Sequence, residues 1–165
     1  MISDPLAYLI TFRAYGTWLH GDDRGSVNRD HNVYGTPMLA SNQGLQAAEH
    51  SQLRHPPVLL NKGHRAIVAE SVRDVCRVRG WSLLALNVRS NHVHAVVTAP
   101  VPPERVMQAL ESNSTRELRA SQLADAGSRL WSRHGSTKYL WKPQQVEEAC
   151  RYVAESQGED IGDGT

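Results

Sequence analysis

The chain has 165 residues, enough for one domain around one core, and its 40% hydrophobic and 21% charged residues are ordinary for a globular protein. No apolar run approaches the ~20 residues that cross a bilayer, and the opening MISDPLAYLITF lacks the basic segment and small-residue cleavage site of a secretory signal, so no membrane partner and a cytoplasmic setting are expected. The net charge of +1 is unevenly spread: residues 1–58 sum to −1, residues 59–142 set thirteen Lys and Arg against six acids for +7, and residues 143–165 sum to −5, a basic middle that suits a phosphate-binding surface although solvated helix faces would carry the same charges.

Residues 6–13, LAYLITFR, are apolar and β-prone and predict a first strand. Glycines and prolines punctuate the stretch from Gly16 to about Leu60, a long loop whose length points to function, with a short helix near 40–55. Asn61 caps a helix over 62–79, whose apolar stripe is Val68, Val72, Val75 and Cys76 and whose stop is Gly80. Residues 81–88 and 92–99 read as strands joined by Arg89-Ser90-Asn91, a connection short enough to require an antiparallel hairpin. Pro102 and Pro103 open a second helix to about Leu123, with Val106, Met107, Leu110 and Leu118 inward. One or two short strands follow between Arg129 and Trp141, and Pro143 starts a last helix over about 143–156. Cys76 and Cys150 fall on separate helices and suggest neither a CxxC metal site nor a disulfide framework. This order predicts an α+β fold, a ferredoxin-like antiparallel sheet sandwich with an additional C-terminal helix. It would form one domain over residues 1–158, with a frayed tail at 159–165.

His92 and His94 alternate with Val93 in a strand, so both imidazoles project from one face and can give two ligands to a divalent metal. Two hydrogen-bonded histidines at a sheet edge would show the same pattern. On the last helix, with Val146, Ala149, Cys150 and Val153 buried, Tyr152 falls roughly 110° from the centre of the apolar face at about 100° per residue. A tyrosine on that border can pack its ring and wet its hydroxyl, or aim the hydroxyl at a neighbouring site.

Taken together, these residues resemble the HUH nucleases, and among them the single-tyrosine transposases, which include the small insertion-sequence and REP-associated tyrosine transposases. The resemblance is carried by Asn91-His92-Val93-His94-Ala95-Val96-Val97, by Ala85-Leu86-Asn87-Val88 before it, and by Tyr8-Leu9-Ile10-Thr11-Phe12 with Tyr15-Gly16-Thr17-Trp18-Leu19-His20-Gly21-Asp22. Trp131-Ser132-Arg133-His134-Gly135-Ser136, Tyr139-Leu140-Trp141, Tyr152-Val153 and Gln157-Gly158 continue it in the same order. It implies His92 and His94 as metal ligands, Tyr152 as nucleophile and Gln157 as third ligand. Gln157 departs from the pattern: it lies five residues after Tyr152, roughly 140° around a regular helix, whereas Glu148 and Ser156 lie four away, on the tyrosine's side.

The resemblance further implies cleavage and transfer of single-stranded DNA through a 5′-phosphotyrosine, with Mg2+ or Mn2+ as cofactor, single-stranded or hairpin DNA as partner, and a homodimer. No P-loop is present, in keeping with chemistry that needs no ATP. Arg116, Arg119, Arg133, Lys138 and Lys142 are candidate DNA contacts, joined by Arg129, with Trp131 and Trp141 as stacking surfaces or core residues. Tyr139 is a competing nucleophile, although packing in a strand would explain it. His20, His31, His64 and His134 read as loop or surface residues. Two other classes stand beside this one. A HIT-type nucleotide hydrolase would need a third histidine where Val96 stands, and a non-catalytic DNA-binding derivative would keep the fold without the reaction.

Overall fold

A computed structural model of the protein describes residues 3–16, 57–133 and 135–155. The elements run β1 (Ala7–Arg13), α1 (Lys62–Arg79), β2 (Ser82–Val88), β3 (His92–Thr98), α2 (Pro103–Ala120), β4 (Ser136–Leu140) and α3 (Pro143–Glu155). The strands make one antiparallel sheet in the order β2-β3-β1-β4. That order is the ferredoxin-like arrangement, to which α3 adds a third helix.

Two-residue alternation divides the sheet between two layers. Tyr8, Ile10 and Phe12 of β1 and Val93, Ala95 and Val97 of β3 point to one side, where they meet Val68, Val72, Val75 and Cys76 of α1 and Val106, Leu110 and Leu118 of α2. The other side is a smaller cluster, in which Ala149 and Val153 of α3 cover Ala7, Val96 and Leu140. Each fully buried aliphatic side chain contributes about 1.5–3 kcal/mol, so the α1–α2 layer supplies most of the stability and α3 sits on the thinner side.

Local signals explain the helix ends. Asn61 and His64 form a reciprocal cap: Asn61 Oδ1 accepts from the His64 amide at 3.0 Å, and His64 Nδ1 accepts from the Asn61 amide at 3.1 Å. Gly80 takes φ 72°, and the Trp81 amide turns back to the Cys76 carbonyl at 2.8 Å, closing α1 in the left-handed manner that glycine allows. Helix α2 stops at Ala120, short of the Leu123 expected. Gln122 adopts φ 63° and the Leu123 amide returns to the Leu118 carbonyl at 2.9 Å, a helix stop made without glycine. Before α3, the Trp141 and Lys142 amides donate to Gln145 Oε1 at 2.8 and 3.0 Å.

Between Arg129 and Trp141 there is one strand, β4, preceded by a single bridge between Ala14 and Trp131. The short helix expected near 40–55 and the tail at 159–165 lie outside the described residues. Among the described residues no helix is long and apolar enough to cross a membrane.

Candidate active site

Strand β3 is central, paired with β1 on one side and β2 on the other. Its alternation sends His92, His94 and Val96 to the α3 face. Register with β1 sets Arg13 opposite His92 and Thr11 opposite His94, so four polar side chains share one patch of sheet. The imidazole centroids of His92 and His94 are 4.7 Å apart, their planes inclined by 68°.

Hydrogen bonds orient both rings. His92 Nδ1 lies 2.6 Å from Asn91 Oδ1; a carbonyl oxygen only accepts, so Nδ1–H donates and the lone pair is left on Nε2. His94 Nδ1 lies 2.7 Å from the Thr11 hydroxyl, so a ligand to His94 would meet Nε2. His94 is 8% exposed. Burial first, then neighbouring His92 and the cations Arg13, Arg89 and Lys138, push its pKa down to about 3. It is therefore neutral, the protonation state in which imidazole binds a metal.

Helix α3 brings Tyr152 over this patch. With Ala149 and Val153 buried against the sheet, Tyr152 stands on the helix border, 43% exposed. Its ring centroid is 5.5 Å from that of His94, at 67°. Asn87 of β2 donates to the Val153 carbonyl at 3.0 Å and fixes this turn of α3 to the sheet. A cavity of about 540 Å3 opens here, with Thr11, Arg13, His94, Lys138, Glu148 and Tyr152 among its walls. A larger groove of about 830 Å3 between α1 and α2, edged by Arg77, Arg79, Arg105 and Arg116, is on the opposite side of the sheet.

Among the described residues no group of three His, Cys, Asp or Glu side chains converges as a complete metal site. Glu148 shares the cavity wall with His94, with one oxygen 3.3 Å from Gln144 Nε2. Gln157, Ser156, His20, His31 and His134 lie outside the described residues. His64 serves the α1 cap described above.

The candidate DNA contacts separate. Lys138 lines the cavity, Lys142 is exposed just before α3, and Arg133 is exposed in the turn before β4. Arg116 and Arg119 lie on α2, across the sheet from His94. Arg116 pairs with Glu117 at 3.6 Å and with Asn113, while Arg119 donates to the Asp125 and Ser128 carbonyls at 3.3 and 2.9 Å, bracing the loop after α2. Arg129 stacks over Tyr15 at 5.1 Å. Trp131 is no stacking surface: it is 7% exposed, edge-on to Phe12 at 4.9 Å, and its indole N–H donates to Thr115 Oγ1 at 3.0 Å. Tyr139 is less packed than a strand position suggested, at 46% exposed.

Thr11, Arg13 and Asn91 are the site residues that sequence reasoning missed. The alternation in Leu9-Ile10-Thr11-Phe12-Arg13 holds the signal, since Thr11 and Arg13 fall on the face opposite the apolar Ile10 and Phe12.

The sequence model of the family described as "Transposase IS200 like" matches residues 54–156, well over half of the chain and inclusive of His92, His94 and Tyr152. The chain belongs to the IS200-like transposases. Two solved structures are similar across 93% of this transposase: a REP-associated tyrosine transposase bound to a REP hairpin, at 11% identity, 67% of that chain and a TM-score of 0.48, and a protein of Deinococcus radiodurans R1 assigned as a transposase, at 15% identity, 92% of that chain and a TM-score of 0.46. No curated protein matches it. Val96, where a HIT-type hydrolase would need its third histidine, is fully buried beneath α3 in this transposase.

Proposed function

We propose that this transposase cuts and rejoins single-stranded DNA with Tyr152 as nucleophile and a divalent ion, Mg2+ or Mn2+, held at His92 and His94. The observation that carries this reading is the meeting of two elements: His94 of β3, with the His92 ring 4.7 Å away, and the α3 tyrosine meet at one cavity whose walls also bear Arg13 and Lys138. Two imidazoles on one face of the sheet, their Nδ1 atoms engaged by Asn91 and Thr11 and His94 held neutral, fit a divalent ion, and Gln157 or Glu148 would complete the protein ligands. When bound, the ion would act as Lewis acid and template for the scissile phosphate.

The chain's own groups account for the rest. Arg13 and Lys138 attract the phosphodiester and offset its charge. The Tyr152 phenol loses its proton and its oxygen attacks phosphorus in line with the bridging 3′ oxygen. The Tyr152 O–P bond forms as the P–O3′ bond breaks, leaving a 5′-phosphotyrosine and a 3′ oxygen that takes up a proton from solvent. With Nδ1 engaged by Thr11 and Nε2 the atom that would meet the ion, His94 has no lone pair left to act as the base, so the tyrosine proton leaves to water. A second strand's 3′-hydroxyl reverses the step and transfers the 5′ end. Single-stranded or hairpin DNA, a homodimeric assembly and a cytoplasmic setting at chromosomal DNA complete the reading.

Tyr152→Phe tests it. The ring and its packing stay and one oxygen goes, so folding and DNA binding should survive, with at most about 1 kcal/mol lost. With labelled single-stranded DNA and Mn2+ on denaturing gels, the wild type should form a covalent adduct on the Arg151-Tyr152-Val153 peptide and the variant none. An adduct that maps to Tyr139, or that persists in the variant, overturns the assignment of the nucleophile. A wild type that never forms one is the DNA-binding derivative instead.

A further inference from the structure

We propose that Tyr139 and Trp141 form a stacking platform for one unpaired base of the DNA strand that occupies the Tyr152 cavity. The inference rests on the single-stranded DNA reading above and adds a subsite to it.

The two rings are nearly parallel, 13° apart with centroids at 5.8 Å. Trp141 is 48% exposed and Tyr139 nearly as open, while Tyr8, Phe12, Trp81 and Trp131 are buried. Neither ring is loosely held. Tyr139 meets Tyr8 edge-on at 5.5 Å, and the Tyr8 hydroxyl is anchored to the Val101 carbonyl at 2.9 Å. The backbone of Trp141 and Lys142 is clamped by Gln145, as described. A preorganised aromatic surface loses little entropy when a flat ligand settles on it.

The place and the charges identify the ligand. Tyr139 shares with Lys138 the wall of the cavity that holds His94 and Tyr152, yet its ring lies with Tyr8 on the other side of the sheet. The platform thus sits at the lip of β4, where a strand leaving the cavity would cross. Lys138 and Lys142 bracket the two rings in sequence, Lys138 on the cavity wall and Lys142 exposed. Lysines on an edge strand oppose pairing with a second sheet, whereas aromatics interleaved with cations suit a single-stranded polyanion. Trp141 is a positioning residue on this account, and the bond-making is left to Tyr152.

The test compares short fluorescent single-stranded oligonucleotides of mixed sequence with abasic backbones of the same length, bound to the full chain. Wild type should prefer base-bearing DNA by about tenfold, the scale of one stacked base, with quenching of tryptophan fluorescence. Trp141→Ala should lose the preference and the quenching, and Trp141→Phe should keep most of the preference. Equal preference in Trp141→Ala and wild type overturns the platform, as does a change in oligomeric mass on that substitution, which would assign the rings to a second copy. The two readings fail separately. A wild type that forms the Tyr152 adduct but ignores bases refutes the platform alone, and one that prefers bases but never forms an adduct refutes the nucleophile alone.

Discussion

Neighbours decide what His94 can do. Burial and three nearby cations hold its pKa near 3, and Thr11 occupies Nδ1, which leaves a neutral ring with one nitrogen for a ligand. His92→Ala and His94→Ala should therefore each abolish adduct formation with DNA affinity mostly intact, because phosphate contacts elsewhere dominate binding. Adduct gels and filter binding on the same preparations check this, and near-normal cleavage by either variant at limiting Mn2+ would remove the pair from the site. The shared face of the two histidines is legible from the two-residue period of a strand, and the border position of Tyr152 from the helical period. Thr11 is not, because it reaches His94 only through the β1–β3 register, across 83 positions of sequence. Nor could the pattern tell Trp131 from Trp141: each follows a basic residue, Arg129 or Lys138, by two or three positions, and only the tertiary contacts of the Trp131 indole separate core from surface.

Helix α3 poses the same problem at the next scale, since the proposed nucleophile is only as well placed as the element that carries it. The Val153 carbonyl belongs to the last turn, where helices run out of their own N–H donors, and Asn87 supplies one from β2. Asn87→Ala should cost about 1 kcal/mol of stability and slow adduct formation at saturating DNA by more than it weakens binding. Equal losses in rate and affinity would show that Asn87 acts on the fold alone. The limits of α1 were legible because Asn61 and Gly80 announce them. The end of α2 was not, because Gln122 takes a left-handed conformation that nothing in its side chain signals. The hairpin of β2 and β3 was legible from the length of its turn, whereas β4 and the bridge at Trp131 depend on β1 lying alongside.

Across the whole molecule, the sandwich carries a titratable acid in its thicker layer. Burial pushes the Glu111 carboxyl on α2 up to about 7 from an ordinary 4.5. Between those values the folded chain binds the extra proton, so stability is full below about pH 4.5 and is lost as pH rises through 7. Glu111→Gln removes that loss. Its unfolding free energy, read from denaturant titrations, should exceed that of wild type at pH 8 by on the order of 1–3 kcal/mol, and converge with it near pH 4.5. A difference that stays flat with pH would mean that the carboxyl is not held neutral.

The two layers are unequal, and this sets the order in which the molecule opens. The histidines sit on a strand laddered on both sides and backed by the larger core, so their amides should exchange with solvent only as the whole domain unfolds. Helix α3 rests on the smaller cluster and needs far less free energy to lift. The half of the site that would hold the metal is thus a fixed frame, while the half that would carry the covalently attached DNA end is the part of the molecule freest to move.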